Sequence, residues 1–460
     1  HNPVWVNCRG DVILDEFNKP LYLIGCVNEI GKRQKADNIS GLLREPSLEE
    51  YVSSKSKNNI TGYFMQIGID DFDEINGRFG LKCGDEILKQ FSMCMQSCIN
   101  ENQKIYELGN GRFIIMDLAN HSKEDILELY DELKKSVEVA LEENVYRVVY
   151  TISVGIVEID KEMKDYDTLI KYSDFALNEA KKKGKNSCYF FTQDKHKQFI
   201  RRREIRVELQ NAVDHNFKNF DVYYQPIIDI HTRNLIGAEA LMRFKMKRNE
   251  QIEFISPAEF IPILEESGLI IPAGRWILRQ AVACCKKWQE FIPEFKVNVN
   301  LSYVQIIKSK ILDEIKQALK DFNLKPALLG IEVTESGYLE NTYHYKKLWS
   351  SLKEEGITLI LDDYGTGYSN AYRLSDLTPH YIKIDRVLTQ KALSSNYERS
   401  ILIYIIEMAH SLKLNVCIEG VETEEELQEI KKLNPDYIQG YLFGKPAPED
   451  EFYNRQIKKK

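Results

Sequence analysis

The chain has 460 residues, 43% hydrophobic and 29% charged, with a formal net charge of −8. That length holds about two to four domains with separate cores, and the acidic balance argues against a general nucleic-acid binder. No apolar run approaches the roughly 20 residues of a membrane span. Nine cysteines, with Cys284 and Cys285 adjacent and no CxxC pair, read as reduced thiols in a cytoplasmic protein. The opening at His1 rather than Met predicts a piece of a longer protein, with any membrane anchor or sensor upstream.

In chain order, residues 5–10 and 18–25 alternate around turn residues and predict a hairpin. From 37 to about 195, helical patterns at 48–54, 85–100 and 123–143 alternate with strand patterns at 62–67, 112–116 and 149–155. That is an α/β plan with a sheet covered by helices. Residues 192–208 carry Lys195, Lys197, Arg201, Arg202 and Arg203 among Phe199, Ile200 and Val207, which predicts an exposed linker helix, placed at 196–208.

The remainder, 209–455, contains eight short apolar runs, each closing on a polar residue: Gln225, Glu239, Asn300, Glu332, Asp362, Lys383, Glu419 and Gln439. Eight runs alternating with helices predict a (β/α)₈ barrel, in which strand ends converge on one rim. The run at 358–362 carries the densest chemistry, because Asp362 and Asp363 stand side by side before Gly365 and Gly367. Alone, that pair also fits a solvated turn. With seven other polar ends around one rim it predicts a site. Oxygen donors without His or Cys suit Mg²⁺ or Mn²⁺ rather than Zn²⁺. The carboxylates suffice for two ions sharing a bridge, an arrangement used to hydrolyse phosphodiesters.

Several motifs carry family resemblance. Asp37-Asn38-Ile39-Ser40-Gly41-Leu42, Asp70-Asp71-Phe72-Asp73-Glu74-Ile75-Asn76 with Gly84-Asp85, and Ala180-Lys181-Lys182-Lys183-Gly184-Lys185-Asn186 resemble the GGDEF family of diguanylate cyclases. The signature itself reads Gly109-Asn110-Gly111-Arg112-Phe113, and the family's first metal-binding Asp falls on Gly68. A cation in place of one oxygen ligand and the loss of another imply a catalytically dead cyclase. The family's product-inhibition motif is absent at 100–103. Asn76 and Asp85 resemble the guanine-contacting pair, which implies a regulatory GTP site; an inert scaffold is the alternative. Arg112 is available there as a phosphate contact. The segment at 1–36 resembles the last strands of a PAS sensor domain.

The second domain resembles the EAL family of cyclic di-GMP phosphodiesterases. The resemblance rests on Glu239-Ala240-Leu241-Met242-Arg243, Asn300-Leu301-Ser302, Glu332-Val333-Thr334-Glu335, Asp362-Asp363, Lys383-Ile384-Asp385, Glu419-Gly420-Val421-Glu422 and Gln439-Gly440-Tyr441. Departures are Tyr364 and Asn370, neither at a ligand position. The resemblance implies hydrolysis of cyclic di-GMP to linear pGpG with two divalent cations, Mg or Mn. Glu239, Asn300, Glu332 and Asp362 are implied as ligands of the first ion, Asp362 bridging to a second held by Asp363 and, through water, Glu419. Lys383 positions the attacking water or supplies charge. Arg243 holds a phosphate, while Gln225, Gln439 and Asp385 position substrate. Glu335 anchors the loop at 363–370, and Glu422 supports the site from behind. A homodimer through surfaces near the Asp363 loop is also implied. The rival readings are a non-catalytic cyclic di-GMP receptor, a bifunctional enzyme and a protein-interaction scaffold.

Overall fold

A computed structural model describes residues 5–14, 20–30, 36–55, 61–119, 121–142, 148–160, 165–248, 250–334, 342–365 and 379–458; for 5–14, 20–30 and 342–345 it describes the backbone alone. It divides into two compact units, 1–199 and 200–460, with the boundary inside the helix Gln193–Asp214. Among the described residues no helix is long and apolar enough to cross a membrane, and Cys83, Cys94, Cys98, Cys188, Cys284, Cys285 and Cys417 are free thiols.

The first unit begins with an antiparallel hairpin, β1 (Trp5–Leu14) and β2 (Pro20–Ile30), longer than the sequence predicts. A six-stranded sheet follows, built from β3 (Leu43–Arg44), β4 (Gly62–Ile69), β5 (Gln103–Gly109), β6 (Arg112–Asp117), β7 (Ile152–Ile159) and β8 (Cys188–Phe190). Its strand order is β3-β5-β6-β4-β7-β8, so β4 lies between β6 and β7 and all eight of its residues are buried. Period-two alternation sends Tyr63, Met65, Ile67 and Ile69 into one core and Phe64 into the other. A strand buried on both faces reads as the continuous apolar run seen in the sequence. β5 and β6 join through Asn110 and Gly111, both at positive φ, the backbone that a two-residue hairpin turn requires.

The second unit is a closed barrel of eight strands: β9 (Phe220–Asp229), β10 (Leu235–Arg248), β12 (Lys296–Asn300), β13 (Leu329–Thr334), β14 (Thr358–Tyr364), β15 (Tyr381–Ile384), β16 (Asn415–Glu419) and β17 (Tyr437–Gln439). Helices such as Ile270–Trp288 and Asn396–Ser411 pack outside it, burying Ile277, Ala281, Leu402 and Ile406 against the outward faces of the strands. The barrel corrects the expectation of uniform β/α alternation. β9 runs antiparallel to both β10 and β17 and is joined to β10 by a hairpin rather than a helix. Hydropathy runs carry no strand direction, so the sequence could not supply it. Past the barrel, β10 continues as an arm paired with β11 (Gln251–Ile255), and β18 (Ala447–Pro448) borders β9.

Candidate active site at the barrel rim

Period-two alternation fixes which side chains enter the barrel. Ile360 precedes Asp362, Tyr381 precedes Lys383, Cys417 precedes Glu419 and Asn298 precedes Asn300 on the same faces. Ile227, Ile360, Tyr381 and Cys417 close together as a buried cluster beneath the polar layer. Gln225 and Glu239 are not terminal residues of their strands as expected. They are mid-strand partners across the β9–β10 ladder, and the antiparallel sense of β9 still delivers Gln225 to the site.

β14 carries the decisive irregularity. Leu361 pairs with Ile382 and Tyr364 with Ile384, so Asp362 and Asp363 together oppose the single residue Lys383. This is a β-bulge, which re-aims side chains and bends the strand. Asp363 takes the left-handed conformation at φ 55°, and its N–H donates to Asp362 Oδ1 at 2.9 Å. Strict alternation would send consecutive carboxylates to opposite faces; the bulge breaks that alternation at Asp362, which lies against Lys383, and Asp363 follows it in the left-handed conformation.

Lys383 is the centre. Its fully buried Nζ lies 2.8 Å from Glu239 Oε2, 3.0 Å from Glu332 Oε2, 3.4 Å from Asp362 Oδ1 and 2.6 Å from Glu419 Oε1. Asn300 Nδ2 donates to Glu239 Oε1 at 2.7 Å, and Gln439 Nε2 donates to Glu239 Oε2 at 2.8 Å and to Gln225 Oε1 at 3.1 Å. Burial pushes Lys383 down, but the surrounding carboxylates outweigh it and hold the ammonium well above its usual range. Burial likewise raises Glu239, yet Lys383, Gln439 and Asn300 together bring its carboxyl below the ordinary value. Glu332 goes the other way, raised by burial and by the adjacent Glu239. Burial lifts Glu419 to about 8 against the pull of Lys383. Burial and then Asp362 lift Asp363 to about 6.

These shifts express one imbalance: four carboxylates share one ammonium. Uncompensated buried charge is costly, and a hard cation is the natural complement to an all-oxygen donor set. Glu239, Glu332 and Asp362 each bring an oxygen within 4.8 Å of the others. The donor set therefore fits a divalent cation. Gln439 Oε1 is buried without a partner among the described residues, an acceptor left for a bound donor.

A cavity of about 250 Å³ opens onto this cluster, lined by Gln225, Glu239, Asp362, Lys383, Glu419 and Gln439. Glu422 borders it and is paired with Arg386 at 2.7 Å. The structure does not bring every expected residue there. Arg243 lines a neighbouring cavity of about 750 Å³, which Asn300 also borders. Its guanidinium donates to the Met242 carbonyl at 2.9 Å. Asp385 caps the helix Arg386–Ser394, its Oδ1 accepting the Val387 N–H at 2.6 Å. Glu335 lies outside the described residues, as does the loop from 366 to 370. Sequence reasoning gave no role to Tyr441 and missed Arg386, both of which border the smaller cavity, and missed Asn298, which donates to Glu332 at 2.8 Å. The alternation Val297-Asn298-Val299-Asn300 held the signal, since two amides spaced by two share a face.

In the first unit, Gly68 and Arg112 are ladder partners across β4 and β6. Arg112 reaches Asp174 at 3.5 Å, and a Cβ on Gly68 would stand 3.1 Å from Lys181 Nζ. Cationic groups thus occupy the neighbourhood where the family resemblance places metal ligands. Asn76 Oδ1 is buried against Gly84, where a Cβ would stand 1.9 Å from it, and Asp85 is exposed on the following helix. Neither lines the cavity of about 350 Å³ bounded by Asp71, Glu74, Arg78, Phe79 and Thr151.

A closed eight-stranded barrel with one antiparallel strand and an acidic rim about a lysine, preceded by an α/β domain with a six-stranded sheet, defines the class. The chain belongs to the EAL domain family, which matches residues 206–446, and the family described as diguanylate cyclase, GGDEF domain, matches residues 35–187. The signaling protein YkoW of Bacillus subtilis (strain 168) is 31% identical over 86% of this chain and 48% of its own length. The cyclic di-GMP phosphodiesterase PdeR of Escherichia coli (strain K12) is 27% identical over 100% of this chain and 68% of its own length. Against several such relatives the chain spans about half of their length. The solved structure of the PaMucR phosphodiesterase in complex with c-di-GMP is similar with a TM-score of 0.51 and 29% identity, over 54% of this chain and 99% of that one.

Proposed function

We propose that the barrel is a metal-dependent phosphodiesterase that opens cyclic di-GMP to linear pGpG. The observation that carries this reading is the buried excess of carboxylates around Lys383 at the mouth of a cavity. The relatives named as cyclic di-GMP phosphodiesterases, and the c-di-GMP complex of the similar PaMucR barrel, support the choice of substrate.

In the reaction, water adds to one phosphorus, the P–O3′ bond breaks, and the proton lost by water ends on the departing 3′ oxygen. Glu239, Glu332 and Asp362, with Asn300 beside Glu239, would hold one divalent cation, and Asp363 with Glu419 a second. When bound, such cations neutralise phosphate charge and lower the pKa of water. Lys383 stays protonated among the carboxylates and stabilises charge growing on the phosphate oxygens. Gln439 and Gln225 orient the sugar–phosphate ring through their amides. Arg243 meets the distal phosphate from the adjoining cavity.

The first domain is assigned a regulatory role without cyclase activity, with GTP as its ligand at Asn76 and Asp85. The pairing of Gly68 with Arg112 supports the loss of cyclase chemistry. A homodimer belongs to the same reading and is tested by sedimentation equilibrium.

The test is cyclic di-GMP hydrolysis by the full chain with Mg²⁺ or Mn²⁺, beside Glu239→Gln. Hydrolysis to pGpG that requires a divalent ion and falls by roughly 10³-fold or more in the variant is expected. Tight binding without turnover under either ion would replace this reading with that of a receptor.

A further inference from the structure

Asn298 contacts the site from below. It sits on β12 with Glu239 and Gly330 as its ladder partners, two residues before Asn300. Its side chain is buried. Nδ2 donates to Glu332 Oε1 at 2.8 Å and also to the Tyr381 hydroxyl oxygen. Tyr381 is itself buried, two residues before Lys383 on β15. Glu332 thereby has one donor on each oxygen: Asn298 on Oε1 and, at 3.0 Å, Lys383 on Oε2. The amide needs space, which Gly330 provides, since a Cβ there would stand 2.2 Å from Asn298 Oδ1.

The chemistry of the group matters. A carboxylate with one oxygen pinned cannot rotate freely, so its other oxygen keeps a fixed direction. A lysine or arginine could pin it too, but would add a charge and weaken the pull on a cation. An amide orients Glu332 and leaves the charge count unchanged.

We propose that Asn298 is a positioning residue, held by Tyr381 and accommodated by Gly330, that fixes the Glu332 carboxylate for cation binding and so for hydrolysis. This rests on the phosphodiesterase reading above. Asn298 lines neither cavity, so its effect passes through Glu332 and leaves substrate contacts alone.

The experiment compares Asn298→Leu, close in shape to asparagine, and Asn298→Ala, neither of which adds a charge, with the wild-type chain. Mn²⁺ dissociation constants come from electron paramagnetic resonance in the absence of substrate; kcat, KM and Tm are measured in parallel. Expected are Mn²⁺ binding weaker by about 10–100-fold and a similar fall in kcat, with KM for cyclic di-GMP within about twofold. In a Glu332→Gln background, adding Asn298→Leu changes Mn²⁺ affinity by less than about twofold, because the partner is already altered. Tyr381→Phe, which keeps the ring packing, lowers Mn²⁺ affinity severalfold and serves if the Asn298 variants do not fold. A lower Tm with unchanged Mn²⁺ affinity and kcat, or full additivity with Glu332→Gln, overturns the inference. A wild type that neither binds Mn²⁺ nor opens cyclic di-GMP overturns the phosphodiesterase reading along with it.

Discussion

Asp37 illustrates how one carboxylate can hold a loop. Its Oδ1 accepts the N–H groups of Ile39 and Ser40 at 2.8 and 3.0 Å, and its Oδ2 meets Arg44 at 2.9 Å. Gly41 at φ 73° then turns the chain so that the Asp37 N–H reaches the Leu42 carbonyl at 2.8 Å. Burial pushes the Asp37 carboxyl up, but the Ser40 and Ile39 amides and Arg44 outweigh it and leave it below 3.8. The sign follows from linkage. A carboxyl depressed in the folded state contributes its stability above the unfolded value, and that contribution fades as pH falls through the folded one. Asp37→Asn keeps an acceptor for the loop but loses the charge. It should cost about 1 kcal/mol at pH 7, a gap that closes as the pH drops below 3.8. Urea midpoints of both proteins at pH 7, 5 and 3 check this; a gap that persists at low pH would mean the charge contributes nothing.

At the scale of elements, the bulge in β14 joins backbone geometry to chemistry. Asp363 occupies a conformation that asparagine adopts readily and alanine does not. Two substitutions therefore separate the roles of its backbone and its carboxylate. Asp363→Asn should melt close to the wild type, whereas Asp363→Ala should lose about 1 kcal/mol, and both should lose most hydrolysis because both lack the charge. Chemical denaturation alongside product chromatography reads the two effects separately. The bulge also marks where sequence reasoning reached its limit. Polar residues at the ends of apolar runs were legible because buried strands are otherwise apolar, which picked out Glu239, Glu332, Asp362, Lys383 and Glu419, the residues that the structure gathers into one cluster. The sense of β9, the bulge and the amide of Asn298 were not legible. They depend on which strands are neighbours and in what register, and pairing partners far apart in the chain leave no local periodicity. Asp385, whose place in a motif implies substrate contact, also caps a helix, its Oδ1 accepting the Val387 N–H.

For the molecule as a whole, the two domains pose a problem of energetic coupling. If GTP is the regulatory ligand of the first domain, its effect on the barrel is a free energy shared between two sites, typically about 1–3 kcal/mol, or roughly 5–150-fold in affinity. Such coupling is reciprocal for binding. Cyclic di-GMP held by the Glu239→Gln protein, whose turnover is expected to be slower by about 10³-fold, should change the dissociation constant of GTP by the same factor that GTP changes that of cyclic di-GMP. Two calorimetric titrations, each in the presence and absence of the other nucleotide, measure both factors on one protein. Equal factors different from unity would establish the first domain as a nucleotide-responsive regulator. GTP binding with both factors at unity would leave the site uncoupled, and no GTP binding would leave the domain a scaffold. The same protein should form no cyclic di-GMP from GTP with Mg²⁺, because Gly68 and Arg112 face each other across the ladder where a cyclase needs carboxylates. Synthesis above the level of a protein-free control would overturn that half of the reading and leave the barrel untouched.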